Sequence, residues 1–215
     1  MNIFMNISGV YDDEGWSIPG ALNCDFRKLE GCNCYCTPET EDVFRSALAG
    51  LPVGGIHWID TGDYHYLSKL WMEKVEEPFA LVLFDNHPDN QQDAFGSGML
   101  SCGGWVADAV RDIPALKATV LNGTAVPDGL PVYLSIDLDV MPREYARTDW
   151  SQGEMSLEAL LSAIEAISTE HRILGADICG GLTVAKGATA EDLSINARTR
   201  AVLAGYFSSH PLLSG

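Results

Sequence analysis

Two short strings in this chain carry residue types that bind hard cations. Asp85-Asn86-His87-Pro88-Asp89 sets carboxylate, imidazole and carboxylate at alternate positions, and Ser135-Ile136-Asp137-Leu138-Asp139 sets two carboxylates the same way. On extended backbone, alternate side chains point to one side. A looser string, Thr61-Gly62-Asp63-Tyr64-His65, adds an imidazole. Four carboxylates brought to one point repel each other unless a cation neutralises them. Carboxylate and imidazole donors suit Mn²⁺, or another divalent ion of similar hardness, better than a thiolate-seeking metal. With this many donors, two ions sharing bridging carboxylates fit better than one. Such a pair, about 3.5–4 Å apart, lowers the pKa of a bound water and supplies hydroxide near neutral pH. Taken singly, each residue has a plainer reading: Asp85 as a turn former or cap, His65 as a packed or surface imidazole. The combined pattern favours the metal.

Chemistry at these positions needs elements that present them together. Each acidic string follows an apolar run: Ala80–Phe84 before Asp85, and Val132–Ile136 leading into Asp137. Ile3–Ile7, Gly55–Asp60, Ala118–Leu121 and Arg172–Ala176 read as further strands. The near-continuous apolar character of Ala80–Phe84 suits a strand buried on both faces. Helices are expected between them. Thr37-Pro38 caps and starts Glu39–Ala49, and Gly50 stops it. Ser156 caps a segment with Leu157, Leu160, Leu161, Ile164 and Ile167 on one face, and Glu191–Phe207 is a final helix. Strand and helix in alternation predict an α/β protein, with a mainly parallel sheet covered by helices on both sides. In such folds ligands bind beyond the carboxyl ends of the strands, where the acidic strings fall.

The whole chain, 215 residues, is expected to form one domain. Thirty acidic residues against 13 basic ones give a net charge of −17. That excess repels phosphate backbones and anionic lipid, which argues against nucleic-acid and membrane-surface partners. There is no apolar stretch of about 20 residues and no basic segment before Arg27, so a reduced, cytoplasmic protein is expected.

Other residues invite chemistry. Cys24, Cys32, Cys34 and Cys36 do not have the spacing of a structural zinc site, and the C-x-C-x-C run is read as packing on one face of an extended segment. Ser101 and Cys102 precede Gly103-Gly104 and a helix over Trp105–Val110. A helix N-terminus lowers a thiol pKa, which would make Cys102 a nucleophile or proton shuttle; the plainer reading has the glycines letting the backbone approach the metals. Asp177 is placed to orient a ligand histidine. Glu154 reads as turn before substrate contact, and Asp12-Asp13-Glu14 as a solvated loop. His57 reads as a core residue, His171 and His210 as solvated.

The three strings, in this order, resemble the arginase–agmatinase (ureohydrolase) family. That family carries a GGDH-type histidine motif, a DAHxD motif and an SxDxDxxDP motif. The likeness spans Ile56–Gly180 and the ends in outline. Asn33-Cys34-Tyr35-Cys36 and Leu100-Ser101-Cys102-Gly103-Gly104-Trp105 are similar to strings in a small bacterial branch of arginase-like proteins.

The resemblance implies a three-layer α/β/α sandwich and two Mn²⁺ ions. One would be held by His65, Asp85, Asp89 and Asp137, the other by Asp85, His87, Asp137 and Asp139, with Asp85 and Asp137 bridging. It implies hydrolysis of a C–N bond in a small linear amidine, guanidino or related compound by metal-bridging hydroxide, and often a homo-oligomer. The chain departs from the family at Tyr64, at Pro88 and at Met141-Pro142. No histidine stands at Gly98–Gly103 where the family's proton shuttle would fall, and Gly180 replaces its guanidinium-binding glutamate. These departures point away from arginase activity itself. They leave two alternatives: a mononuclear Zn²⁺ amide deacetylase on the same fold, or a metal-binding regulatory protein without turnover.

Overall fold

The computed structural model describes residues 1–91 and 98–210. In chain order the strands are β1 (Asn2–Asn6), β2 (Leu22–Asp25), β3 (Tyr35–Cys36), β4 (Ile56–Trp58), β5 (Phe79–Phe84), β6 (Leu100–Ser101), β7 (Leu116–Leu121), β8 (Val132–Asp137) and β9 (Ile173–Cys179). The helices are α1 (Val10–Asp13), α2 (Pro38–Leu48), α3 (Leu67–Met72), α4 (Trp105–Asp112), α5 (Leu157–Glu170) and α6 (Ala190–Ser209).

Seven strands form one parallel sheet in the order β2-β1-β4-β9-β8-β5-β7. Because strand side chains alternate, each central strand feeds two cores. Phe79, Leu81 and Leu83 of β5 pack with Phe44 of α2, Trp71 of α3 and Trp105 of α4. Ala80, Val82 and Phe84 pack with Leu160 and Ile164 of α5 and Leu203 of α6. The result is the expected three-layer α/β/α sandwich.

Local signals account for the starts of three helices, α2, α5 and α6. The Thr37 side chain accepts from Thr40 N and Pro38 opens α2; Ser156 accepts from Ala159 N; Thr189 and Asp192 close a capping box on α6.

Several expectations are corrected. β9 runs to Cys179 rather than stopping at Ala176, which moves Asp177 and Cys179 into the sheet. β2 is an edge strand of partly exposed residues and lacks the apolar run that marks the others. Glu14 is not solvated: it pairs with Arg200 at 2.7 Å, both side chains fully buried. His171 is buried, its Nδ1 3.0 Å from the Leu130 carbonyl oxygen. The cysteine run does not share one face, because Cys34 takes a left-handed conformation (φ 59°) that breaks the alternation, leaving Cys32 and Cys36 buried and Cys34 half-buried.

Candidate metal centre

Four adjacent strands, β4-β9-β8-β5, deliver the centre at their carboxyl ends. Asp85 is the first residue past β5, Asp137 ends β8, and Cys179 ends β9 beside it in register. His65 closes a 3₁₀ turn (Gly62–Tyr64) after β4. Asp60 sets that turn's direction. It has φ 74°, and its buried carboxylate accepts from the backbone N–H groups of Ile7, Ser8 and Thr61 at 2.7–2.9 Å.

The donors meet. His65 Nδ1 lies 3.2 Å from Asp85 Oδ2, 3.0 Å from Asp89 Oδ2 and 3.6 Å from Asp137 Oδ2. His87 Nδ1 lies 2.9 Å from Asp139 Oδ2 and 3.4 Å from Asp85 Oδ1. Two ligand groups, His65/Asp85/Asp89 and Asp85/His87/Asp139, thus share Asp85. A third, His65/Asp137/Cys179, contains a thiol. The six residues His65, Asp85, His87, Asp89, Asp137 and Asp139 are brought together; Cys179 is an addition the motifs did not signal.

This donor set fits divalent ions. Bonds of about 2.0–2.2 Å to a shared ion put neighbouring ligand atoms about 3 Å apart, the spacing found here. All four acidic residues are buried. Burial, then Asp85, pushes Asp137 up to about 6. Burial, then Asp137 and Asp85, pushes Asp139 up. Burial also raises Asp89. At Asp85 the effect of burial is outweighed by His65 and His87, which hold it below the usual carboxylate range.

The surrounding hydrogen bonds select the ring nitrogens. Ser135 Oγ donates to Asp177 Oδ1 at 2.7 Å, so its lone pairs face His65 Nε2 at 2.9 Å. Nε2 therefore carries a proton. Burial is outweighed by Cys179 and the hydrogen bonds to Asp85 and Asp89, which raise the His65 pKa well above its ordinary value. Nδ1 is therefore also protonated toward the carboxylates, and it is the nitrogen that a bound ion would take in exchange for that proton. Asp177 reaches His65 only through Ser135. His87 Nε2 is 2.8 Å from Ser151 Oγ, which likewise turns its Nδ1 inward. Trp105 Nε1 donates to Asp89 Oδ2 at 2.7 Å. Asn122 clamps the Asp85 backbone, accepting from its N–H at 2.9 Å and donating to its carbonyl at 2.6 Å.

A cavity of about 40 Å³ opens onto the ligands, lined besides by Gly62, Gln91, Cys102, Gly103 and Trp150. That volume takes water-sized occupants. Ser101 does not line it, and the Cys102 thiol is not activated: burial, then Cys34, pushes it up, against the expected effect of the helix N-terminus. Gly103 and Gly104 make room for Gln91 rather than for metals. The glycines that press on the ligands are Gly62 and Gly180: a Cβ there would lie 3.0 Å from Asp137 Oδ2 and 2.8 Å from Asp137 Oδ1. Glu154 is exposed and not among the lining residues. At the rim, Lys186 pairs with Asp63 and Asp149, and Trp150 Nε1 donates to Asp63 Oδ1 at 3.2 Å.

No family model matches the sequence. An uncharacterized protein of Thermotoga maritima is 30% identical over 200 residues, covering 82% of this chain and 78% of that one. The solved proclavaminate amidino hydrolase of Streptomyces clavuligerus superposes with a TM-score of 0.64 at 15% identity, over 96% of this chain and 90% of that one. A triple mutant of the T. brucei arginase-like protein, bound with Mn²⁺, superposes with a TM-score of 0.57 at 14% identity, over 96% and 88%. The chain belongs to the family of the Thermotoga maritima protein and has the arginase-like fold. In this arginase-like chain, the ends of β5 and β8 carry the acidic strings. No helix among its described residues is long and apolar enough to cross a membrane.

Proposed function

We propose that this chain is a metal-dependent hydrolase of the ureohydrolase type, which cleaves a non-peptide C–N bond in a small linear amidine, guanidino or related compound. The observation that carries this reading is the convergence of His65, Asp85, His87, Asp89, Asp137 and Asp139 on one point with ligand-like spacing. His65, Asp85, Asp89 and Asp137 would hold one ion, and Asp85, His87, Asp137 and Asp139 the other. Mn²⁺ is favoured by the donor types and by the Mn²⁺ in the T. brucei arginase-like mutant. Bound there, the ions supply a water of lowered pKa and a positive charge for the transition state.

The chain's own residues do the rest. Ser135 and Asp177 orient His65, Asn122 fixes the Asp85 backbone, and Trp105 steers Asp89. Trp150 walls the cavity and limits water. Gly180 supports a substrate other than arginine, since a cationic guanidinium leaving water needs a carboxylate partner and no side chain fits there without displacing Asp137. We place the enzyme in the cytoplasm, as one domain acting on a small molecule, with a homo-oligomer as its expected assembly.

The test is metal loading followed by a screen of guanidino, amidino, formimino and acyl-amine compounds for release of urea, ammonia or amine. Two equivalents of Mn²⁺ per chain and turnover that Asp137→Asn abolishes are expected. No bound metal after loading overturns the proposal. The lack of a histidine over Gly98–Gly103 favours, as second reading, a metal-binding protein without turnover; two bound ions with no activity on the whole panel would decide for it.

A further inference from the structure

The mutual placement of Cys179, Asp137 and His65 carries a consequence for the metal itself. Cys179 Sγ lies 3.0 Å from Asp137 Oδ2, and the donor atoms of Cys179, Asp137 and His65 all fall within 4.8 Å of one another. The placement is built by the sheet: Asp137 and Cys179 are register partners and the last residues of the neighbouring parallel strands β8 and β9. It is also held from below. Arg200, itself fully buried and paired with Glu14, donates to the carbonyl of Gly180, the next residue. A thiol is a poor hydrogen-bond donor, so a serine would serve Asp137 better if donation were its task. As a ligand, sulfur is the softest atom within reach of this centre.

We infer that Cys179 is a ligand of the ion held by His65 and Asp137, and that it biases that position toward Zn²⁺ or Co²⁺ over Mn²⁺. The inference rests on the metal-centre reading and refines it. On ligation the S–H bond breaks, a sulfur–metal bond forms, and one proton passes to the buffer. Thiolate selects borderline and soft ions over hard ones.

Co²⁺ separates the possibilities. Metal analysis and the visible d–d bands report binding at the centre; a near-ultraviolet sulfur-to-cobalt charge-transfer band reports the thiolate. The expected result is a charge-transfer band in the Co²⁺-loaded full chain that disappears in Cys179→Ser and persists in Cys102→Ser, which removes the thiol that lines the cavity. Cys179→Ser is also expected to lower the Zn²⁺-over-Mn²⁺ affinity ratio by about tenfold or more. Co²⁺ bound without the band, or a band that survives Cys179→Ser, overturns this inference and leaves the metal centre standing. No Co²⁺ bound overturns both. If Cys179→Ser does not fold, X-ray absorption on the Zn²⁺-loaded wild type decides instead: a sulfur scatterer at about 2.3 Å supports the inference, and a shell of only oxygen and nitrogen refutes it.

Discussion

Ser135 decides which nitrogen of His65 faces the centre. Its single hydroxyl proton goes to Asp177, so it accepts from Nε2 and leaves Nδ1 for an ion. Removing it frees the ring to adopt the other tautomer and strands Asp177, whose carboxylate is buried. Ser135→Ala is therefore expected to weaken metal binding by roughly 10–100-fold without touching a ligand. Competition against a chromophoric chelator measures this, and unchanged affinity would show that the relay does not matter. Gly180 makes the opposite kind of demand. At φ 102° an L side chain is strained, and a Cβ would sit 2.8 Å from Asp137 Oδ1 and from Leu138 Cβ. Gly180→Ala is expected to lower stability by more than about 1 kcal/mol and to cost metal as Asp137 shifts. Thermal unfolding with and without added ions reads both effects.

Strand β4 carries a pH sensitivity independent of the metal. His57 is fully buried, stacked on Trp71 with ring centroids 3.5 Å apart, its Nδ1 3.0 Å from the Tyr133 hydroxyl. Burial holds its pKa down at about 3 against an ordinary 6.5. Below pH 6.5 the unfolded chain takes up a proton that the folded chain refuses until about pH 3, so stability falls with pH across that window. His57→Phe, which keeps a ring against Trp71, is expected to flatten this slope in urea unfolding between pH 6.5 and 4; an unchanged slope would assign it elsewhere. Legibility differed by element. β5 and β8 show in the sequence because each is a continuous apolar run ending in an acidic string. The end of β9 does not show, because Asp177 interrupts its apolar pattern, although Ser135 from the next strand donates to one of its carboxylate oxygens. β2 has too little buried surface to leave a signature.

Across the molecule, the centre concentrates a charge problem that the net charge of −17 makes worse. The five candidate ligands of the two acidic strings, and His65 in the looser one, were legible because residue type and close spacing are local properties, although the backbone that gathers them is not extended: Asp139 stands in a 3₁₀ turn and Asp89 has φ 44°. Cys179, Asn122 and Trp105 were not, because only sheet register and the packing of α4 bring them to the site. What the assembled site demands is positive charge: four buried carboxylates share two imidazoles, and no lysine or arginine lines the cavity among the described residues. Ions that bind the folded centre and not the unfolded chain must then stabilise the fold. At 100 times Kd one ion contributes about 2.7 kcal/mol, or roughly 5–10 °C in Tm for a chain of this size. Diffuse screening of so acidic a surface would also raise Tm, but it depends on ionic strength. The expected outcome is a large rise with micromolar Mn²⁺, Co²⁺ or Zn²⁺, reversed by chelator, little change with NaCl at the same ionic strength, and loss of the metal-induced rise in Asp137→Asn. A rise of equal size in Asp137→Asn would place the effect on the surface and not at the ends of β5 and β8.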